Sequence, residues 1–227
     1  MLVHVPALLD AATLARVRAL VSGGPWADGR ITAGAQSAQA KNNRQLPEDC
    51  AAAAEARGLI LPALQSNALT FSAALPRRVY PPLFNRYDGA TNAFGAHIDN
   101  AVRTHRASGA HVRTDLSCTL FLSDPADYDG GELVIDDTFG TQRVKLPAGD
   151  MILYPASSRH WVEAVTSGAR IASFFWIESM VRDDAQRRLL FDLDVAISSL
   201  RGRDGDSAEA IRLTGCYHNL LRMWVDA

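Results

Sequence analysis

Residues 79–99, VYPPLFNRYDGATNAFGAHID, decide the fold of this chain. The apolar run from Val79 to Tyr87 predicts a β-strand, Asp88-Gly89 predicts a turn, and the region around Ala96 to Asp99 predicts a second extended segment. Short strands and turn residues continue to alternate in this way as far as Ile177. Because no helices alternate with these strands, the pattern favours a mainly β architecture over a parallel α/β sheet.

Regular spacing of the strands predicts the architecture of residues 77–177. Roughly eight short strands at even intervals are typical of a jelly roll, or double-stranded β-helix. The candidates after Asp99 are Thr114 to Leu122, Gly131 to Ile135, Thr141 to Leu146, Met151 to Tyr154, His160 to Val165 and Arg170 to Ile177. We therefore predict a mainly β protein with a jelly-roll core and flanking helices.

Residues 1–76 predict N-terminal helices. Leu8 to Val21 has the pattern of a short amphipathic helix with Asp10 as its N-cap, and Glu48 to Gln65 is a second, alanine-rich helix. Between them, Trp26 to Thr32 is a candidate strand, and residues 33–46 are polar. The segment 1–177 is therefore predicted to form one domain, with the jelly roll as its larger part.

The character of the chain changes again after Glu178. Arg182 to Ser199 and Ser207 to Trp224 have helical periodicity and are separated by a polar, glycine-containing segment. Residues 178–227 are therefore predicted to form a C-terminal helical subdomain, which offers a surface for homo-oligomer formation.

The composition excludes several classes of protein. The chain has 227 residues, 48% of them hydrophobic, and a formal net charge of −2, which is typical of a globular protein and gives no reason to expect nucleic acid or membrane as a partner. Cys50, Cys118 and Cys216 are far apart and odd in number, which fits a reducing compartment. Neither a signal peptide nor a membrane-spanning run is recognisable, so a cytoplasmic location is expected.

His97, Asp99 and His160 form the candidate metal site. On an extended segment, side chains two residues apart point to the same side, so His97 and Asp99 can converge on one ion. His160 opens a later candidate strand and could supply a third ligand. Two imidazole nitrogens and one carboxylate oxygen on one face of an octahedral ion are the facial triad typical of non-haem Fe(II) sites.

Arg170 begins the last candidate strand, ten residues after His160. If Arg170, Ala172 and Phe174 share the face that points into the barrel, the guanidinium needs an anionic partner, because an unpaired buried charge is very costly. A carboxylate held by two hydrogen bonds would satisfy it. The alternative is an arginine at the solvated rim of the barrel.

These residues resemble the Fe(II)/2-oxoglutarate-dependent dioxygenase superfamily, whose pattern is His-x-Asp, a long interval, His and then Arg. The chain is similar in particular to the PKHD-type bacterial hydroxylases, named for their likeness to prolyl and lysyl hydroxylase domains. The supporting stretches are Lys41 to Leu46, Pro82 to Tyr87, His97 to Ala101, Tyr128 to Leu133 and Tyr154 to His160.

The resemblance implies Fe(II) bound by His97, Asp99 and His160, and 2-oxoglutarate held at its distal carboxylate by Arg170. It implies hydroxylation of a substrate C–H bond coupled to decarboxylation of 2-oxoglutarate to succinate and CO2, with ascorbate (vitamin C) as a reductant. Because a carboxylate occupies position 99, where related halogenases have a small residue, hydroxylation is favoured over halogenation.

Tyr87 matches a tyrosine that lines the cosubstrate pocket in the prolyl hydroxylase group. That group often has a second tyrosine near the position of Phe121, and this chain has no hydroxyl there. Arg170 is therefore expected to find other helpers, with Thr119 and Ser117 as the candidates.

Two polar segments are candidates for contact with a small-molecule or peptide substrate. Asn100 to Val112 is a basic segment containing Arg103, and it either covers the metal and recognises an anionic or peptide substrate or forms a solvated loop. Lys41 to Gln45 either reaches the pocket or, as the preferred reading, forms a surface loop between helices.

Two other functional classes stay open. The chain could be a cupin-like metal enzyme that does not use 2-oxoglutarate, or a sensor of iron and 2-oxoglutarate without hydroxylase activity. The combination of a complete triad with Arg170 favours the dioxygenase.

Overall fold

The computed structural model describes residues 1–32, 40–137 and 140–226, and residues 33–39 of the polar segment lie outside it. Five α-helices lie in the described part of the chain. They are α1 (Ala11–Ser22), α2 (Ala51–Ser66), α3 (Ala68–Ala74), α4 (Asp184–Asp204) and α5 (Ala208–Trp224). None of these helices is long and apolar enough to cross a membrane.

Sixteen β-strands account for most of the remaining described residues. They are β1 (Val3–Val5), β2 (Ala27–Asp28), β3 (Lys41–Asn42), β4 (Arg44–Gln45), β5 (Pro76–Val79), β6 (Leu83–Asp88), β7 (Ala93–His97), β8 (Val102–Thr104), β9 (His111–Arg113), β10 (Leu116–Phe121), β11 (Tyr128–Gly130), β12 (Leu133–Asp137), β13 (Gly140–Val144), β14 (Met151–Pro155), β15 (Arg159–Val162) and β16 (Val165–Ser179).

Two antiparallel sheets form the jelly roll. The large sheet has the order β1-β14-β10-β16-β6-β4-β2, and β5 and β11 also pair with the long strand β16. The small sheet has the order β13-β12-β15-β7-β3, and β8 and β9 form a separate two-stranded hairpin. The predicted jelly-roll core with helices before and after it is therefore confirmed.

Alternation along the strands divides the apolar residues between two layers. On β16, Phe175 faces the helical side and packs with Val17 of α1 and Ile60 of α2. Tyr87 of β6 and Phe121 of β10 lie on the opposite face of the large sheet and pack between the two sheets. Because successive side chains of a strand lie on opposite faces, β16 contributes to both layers and leaves its even-numbered residues facing the interior of the barrel.

The C-terminal helices have their own apolar cluster. Leu190 of α4 and Trp224 of α5 pack with Leu75 and Val181 beside the large sheet. The buried Arg187 of α4 anchors this region, since its Nη1 donates to the carbonyls of Val181 and Arg182 at 2.8 Å.

Two strand predictions were wrong, each for a physical reason. Val79 to Tyr87 is interrupted, because Pro81 and Pro82 have no backbone N–H to donate to a neighbouring strand. Trp26 to Thr32 is mostly a 3-10 helix, Gly29–Thr32, which follows the two-residue strand β2. Asp28 begins this turn by accepting a hydrogen bond from the backbone N–H of Arg30 at 2.9 Å.

The predicted loop Lys41 to Gln45 was also wrong. This segment forms β3, paired with β7 of the small sheet, and β4, paired with β6 of the large sheet. Lys41, Asn43 and Gln45 are buried as a result. The polar composition reflects a polar cavity between the sheets rather than a solvated surface.

Candidate active site

His97 and His160 are brought together by the pairing of β7 with β15 in the small sheet. The two residues are direct partners across these strands, and their ring centroids lie 4.3 Å apart. The ring of Phe94 stacks on His97 at 3.8 Å, and Tyr154 packs edge-on against His160 at 5.1 Å. Because aromatic rings hold both imidazoles, their orientation is fixed by packing as well as by hydrogen bonds.

Backbone carbonyls determine which ring nitrogen of each histidine carries the proton. His97 Nδ1 lies 2.8 Å from the carbonyl oxygen of Gly95, and His160 Nδ1 lies 3.0 Å from that of Ser158. A carbonyl oxygen only accepts, so Nδ1–H must be the donor in both residues. The lone pair of each Nε2 is therefore directed away from the backbone, which is the arrangement found at metal sites.

Asp99 completes the cluster from the segment that follows β7. Its Oδ1 lies 3.9 Å from His97 Nε2, and its Oδ2 lies 3.6 Å from His160 Nε2. One ligand atom from each of the three residues lies within 4.8 Å of the others. Ser117 of β10 donates its hydroxyl hydrogen to Asp99 Oδ2 at 2.6 Å and so orients the carboxylate. The donor set, two nitrogens and one oxygen, suits Fe(II).

Burial keeps His97 neutral. Desolvation, followed by the proximity of His160, lowers the pKa of His97 from 6.5 to about 4. A neutral imidazole is the form that coordinates a metal, so protons do not compete with a cation for His97 near neutral pH.

We expect the apoprotein to lose stability as the pH falls from 6.5 to about 4 because of His97. In this window the unfolded chain takes up a proton that the folded protein excludes, so the free energy of unfolding decreases, by an amount on the order of 2 kcal/mol. Urea unfolding of His97→Ala across this range should give a flatter profile than wild type. The control His218→Ala, at an exposed position of α5, should leave the slope unchanged.

Arg170 lies in the same cavity, on the interior face of β16. It is 1% exposed, and its Nε and Nη1 have no hydrogen-bond partner among the residues that the structure describes. The guanidinium carbon is 5.3 Å from the ring centroids of both Tyr87 and Phe121. Unsatisfied donors on a buried charge are very costly, and an anionic group in the cavity would satisfy them.

Tyr87 is the strand neighbour of Arg170, since the two residues are paired between β6 and β16. Its hydroxyl accepts a hydrogen bond from Asn85 at 3.4 Å, and burial raises its pKa, so it stays protonated. The proposed helper Ser117 is committed to Asp99. The other proposed helper, Thr119, lines the same cavity. Burial raises the pKa of Tyr128, and the charge of Arg170 opposes this effect only in part.

The remaining wall of this cavity, here called the central cavity, is polar and aromatic. It includes Lys41, Asn43, Asn85, Arg103, Phe174 and Trp176. The basic segment Asn100 to Val112 contains the β8–β9 hairpin. Arg103 and Asn100 of this segment line the central cavity, whereas its basic side chains other than Arg103 do not. Tyr128 and Tyr154 had no predicted role. Each of them begins one of the stretches that carry the family resemblance.

The comparisons with known proteins cover almost the whole chain. Residues 82–178 match the 2OG-Fe(II) oxygenase superfamily, and residues 184–226 match the C-terminal domain of PKHD-type hydroxylases. A PKHD-type hydroxylase of Xanthomonas campestris pv. campestris is 60% identical, and one of Variovorax paradoxus is 57% identical, each over 100% of both chains.

Solved structures agree on the fold. A prolyl hydroxylase from Trichoplax adhaerens, solved with a peptide fragment of hypoxia inducible factor, superposes with a TM-score of 0.57 at 14% identity, covering 83% of this chain and 86% of that one. The likeness supports the assignment of a jelly-roll fold to this chain. On the sequence matches, this chain belongs to the PKHD-type hydroxylase family within the 2OG-Fe(II) oxygenases.

Proposed function

We propose that this protein hydroxylates a C–H bond of a small-molecule or peptide substrate, with decarboxylation of 2-oxoglutarate to succinate and CO2. His97, Asp99 and His160 hold Fe(II), and Arg170 holds the distal carboxylate of 2-oxoglutarate. Tyr87 lines the cosubstrate pocket. With Fe(II) bound, dioxygen would be the oxidant, and the decarboxylation of 2-oxoglutarate and the substrate C–H bond would supply the electrons that reduce it. Ascorbate would be the reductant that restores oxidised metal.

The observation that carries this proposal is the pairing of two incomplete sites in one cavity. Three ligand atoms converge from one side, and Arg170, whose Nε and Nη1 have no hydrogen-bond partner among the described residues, lies on the facing sheet. A dicarboxylate with a keto acid end can satisfy both at once, because one end chelates a metal and the other accepts hydrogen bonds from arginine.

The residues of this chain contribute positioning and protection. Ser117 orients the carboxylate of Asp99, and the hydrogen bonds donated by Nδ1 orient both imidazoles, so these three residues would hold Fe(II) with ligand atoms that are already in place. Leu133 and Val162 of the small sheet line the central cavity beside the triad. Apolar walls exclude water, which strengthens the electrostatic hold on the cosubstrate.

The products of aerobic incubation test the proposal. With Fe(II), 2-oxoglutarate and 18O2, we expect equal amounts of 2-oxoglutarate consumed and succinate formed, with one 18O atom in succinate, even at the slow rate of a reaction without substrate. His160→Ala should abolish succinate formation, and Arg106→Gln, on the hairpin but outside the central cavity, should not.

The two alternatives predict different products. Binding of 2-oxoglutarate with no succinate would identify a sensor. Bound metal with no response to 2-oxoglutarate would identify a cupin-like enzyme of another class.

A further inference from the structure

The interior face of β16 runs from one end of the central cavity to the other. Arg170, Phe174 and Trp176 all line this cavity. Six residues of extended strand separate the Cα atoms of Arg170 and Trp176 by roughly 20 Å. Ser117, which holds Asp99, is the strand partner of Trp176, so the triad lies near the Trp176 end. Arg170 therefore lies at the end of the cavity that is farther from the triad. The Trp176 end is available to another molecule.

Two cations stand at the Trp176 end. The guanidinium carbon of Arg103 is 4.4 Å from the centroid of the Trp176 ring, and Lys41 Nζ is 5.8 Å from that of Phe174. These two rings pack edge to face, with centroids 5.7 Å apart. The two cations therefore lie over aromatic rings that are in contact with each other.

Both cations are placed by strand pairing rather than by chance contacts. Lys41 is in β3, opposite Phe94 of β7. Arg103 is in β8, and its partner across the hairpin, Val112, is buried against Tyr80 and Trp176. The hairpin is thus anchored to the core, and Arg103 is held over the cavity.

The charges that line the central cavity do not balance. Asp99 is the single carboxylate among the described lining residues, against the three cations Lys41, Arg103 and Arg170. Glu48 lies behind Tyr80, whose hydroxyl donates to it at 3.3 Å. Lys41 is 7% exposed, and burial, with a contribution from Arg103, lowers its pKa to about 7, so an anion beside it would favour the charged form.

We propose that Lys41 and Arg103 bind an anionic group of the substrate, a carboxylate or a phosphate, at the Trp176 end of the central cavity. The inference rests on the proposed function, because it assigns Arg170 and the triad to 2-oxoglutarate and iron. Lys41 contacts the anion from the small sheet, and Arg103 contacts it from the hairpin. Phe174 and Trp176, over which the two cations lie, form the cavity wall beside the anion.

Matched pairs of small aromatic probes test this assignment. Benzoate, phenylacetate and phenyl phosphate are compared with benzamide, phenylacetamide and phenol on the anaerobic protein saturated with Fe(II) and 2-oxoglutarate. Broadening of the probe NMR signals by Fe(II) reports binding near the metal. The visible absorption of the iron–oxoglutarate complex reports whether the cosubstrate stays bound.

We expect at least one anion to bind about tenfold more tightly than its neutral partner, the size expected for a charge-assisted hydrogen bond. Lys41→Met and Arg103→Gln should each remove most of that preference while leaving the neutral probes and the visible absorption unchanged. Arg103→Lys should retain it. Arg106→Gln makes the same change in net charge on the same hairpin and should behave as wild type.

The proposal is wrong if no anion is preferred by at least about threefold, a difference of well under 1 kcal/mol. It is also wrong if either Lys41→Met or Arg103→Gln leaves the preference unchanged, or if the anions bind only by displacing 2-oxoglutarate. A wild-type protein that gives no iron–oxoglutarate absorption would instead contradict the proposed function, so the two failures are distinguishable.

Discussion

Arg170→Met should weaken the binding of 2-oxoglutarate about 100-fold or more, because removal of one partner of a buried charge pair costs several kcal/mol. The apoprotein should be at least as stable as wild type. Arg170 is buried, and two of its nitrogens have no partner among the residues placed by the structure. Methionine keeps the apolar contacts with Tyr87 and Phe121 without the desolvated charge. Calorimetric titration of the Fe(II)-loaded protein and thermal unfolding of the apoprotein measure the two effects.

Arg187 provides the matched control, because it is the other arginine that is almost completely buried. Its guanidinium donates to two backbone carbonyls and to Asp184, outside the central cavity. Arg187→Met should therefore destabilise the fold by about 3 kcal/mol and leave the affinity for 2-oxoglutarate unchanged. An Arg170→Met protein that is strongly destabilised but binds 2-oxoglutarate normally would show that Arg170 is a structural residue.

Asp99→Ala should weaken Fe(II) binding by more than about 100-fold, because it removes a ligand, whereas loss of an outer partner costs about 10–100-fold. Ser117→Ala, which removes the hydroxyl that orients Asp99, should therefore produce the smaller loss of about tenfold. Competition with a chromophoric chelator under anaerobic conditions gives both affinities.

Ser173→Ala is the control for Ser117→Ala. Ser173 is a buried serine of β16 whose hydroxyl has no partner in the described part of the chain. Its removal should leave Fe(II) affinity unchanged. Equal affinities for wild type and Asp99→Ala would exclude Asp99 as a ligand and contradict the proposed metal site.

The sequence predicts those features that depend on local periodicity and short spacing. The even intervals between strands predict the jelly roll, and the matches confirm the resemblance to PKHD-type hydroxylases. The assignment of His97, Asp99 and His160 to one site followed from the two-residue period of a strand and the family pattern. Their clustering agrees with that prediction, and their role as iron ligands stays a prediction.

Long-range pairing explains what the sequence did not predict. Lys41 to Gln45 forms two short strands because β7 and β6 have edges to which these strands can pair. No local sequence pattern reveals those edges. Tyr87 and Arg170 are 83 residues apart in sequence and become neighbours only through the pairing of β6 with β16. The partner of Ser117 likewise depends on where the segment after β7 places Asp99.

Anaerobic visible titration of the wild-type apoprotein, first with Fe(II) and then with 2-oxoglutarate, tests the central claim most directly. The proposed site predicts a metal-to-ligand charge-transfer band that requires both additions, because the keto acid must chelate iron held by His97, Asp99 and His160. Iron binding without such a band would contradict the account and favour a metal enzyme that does not use 2-oxoglutarate.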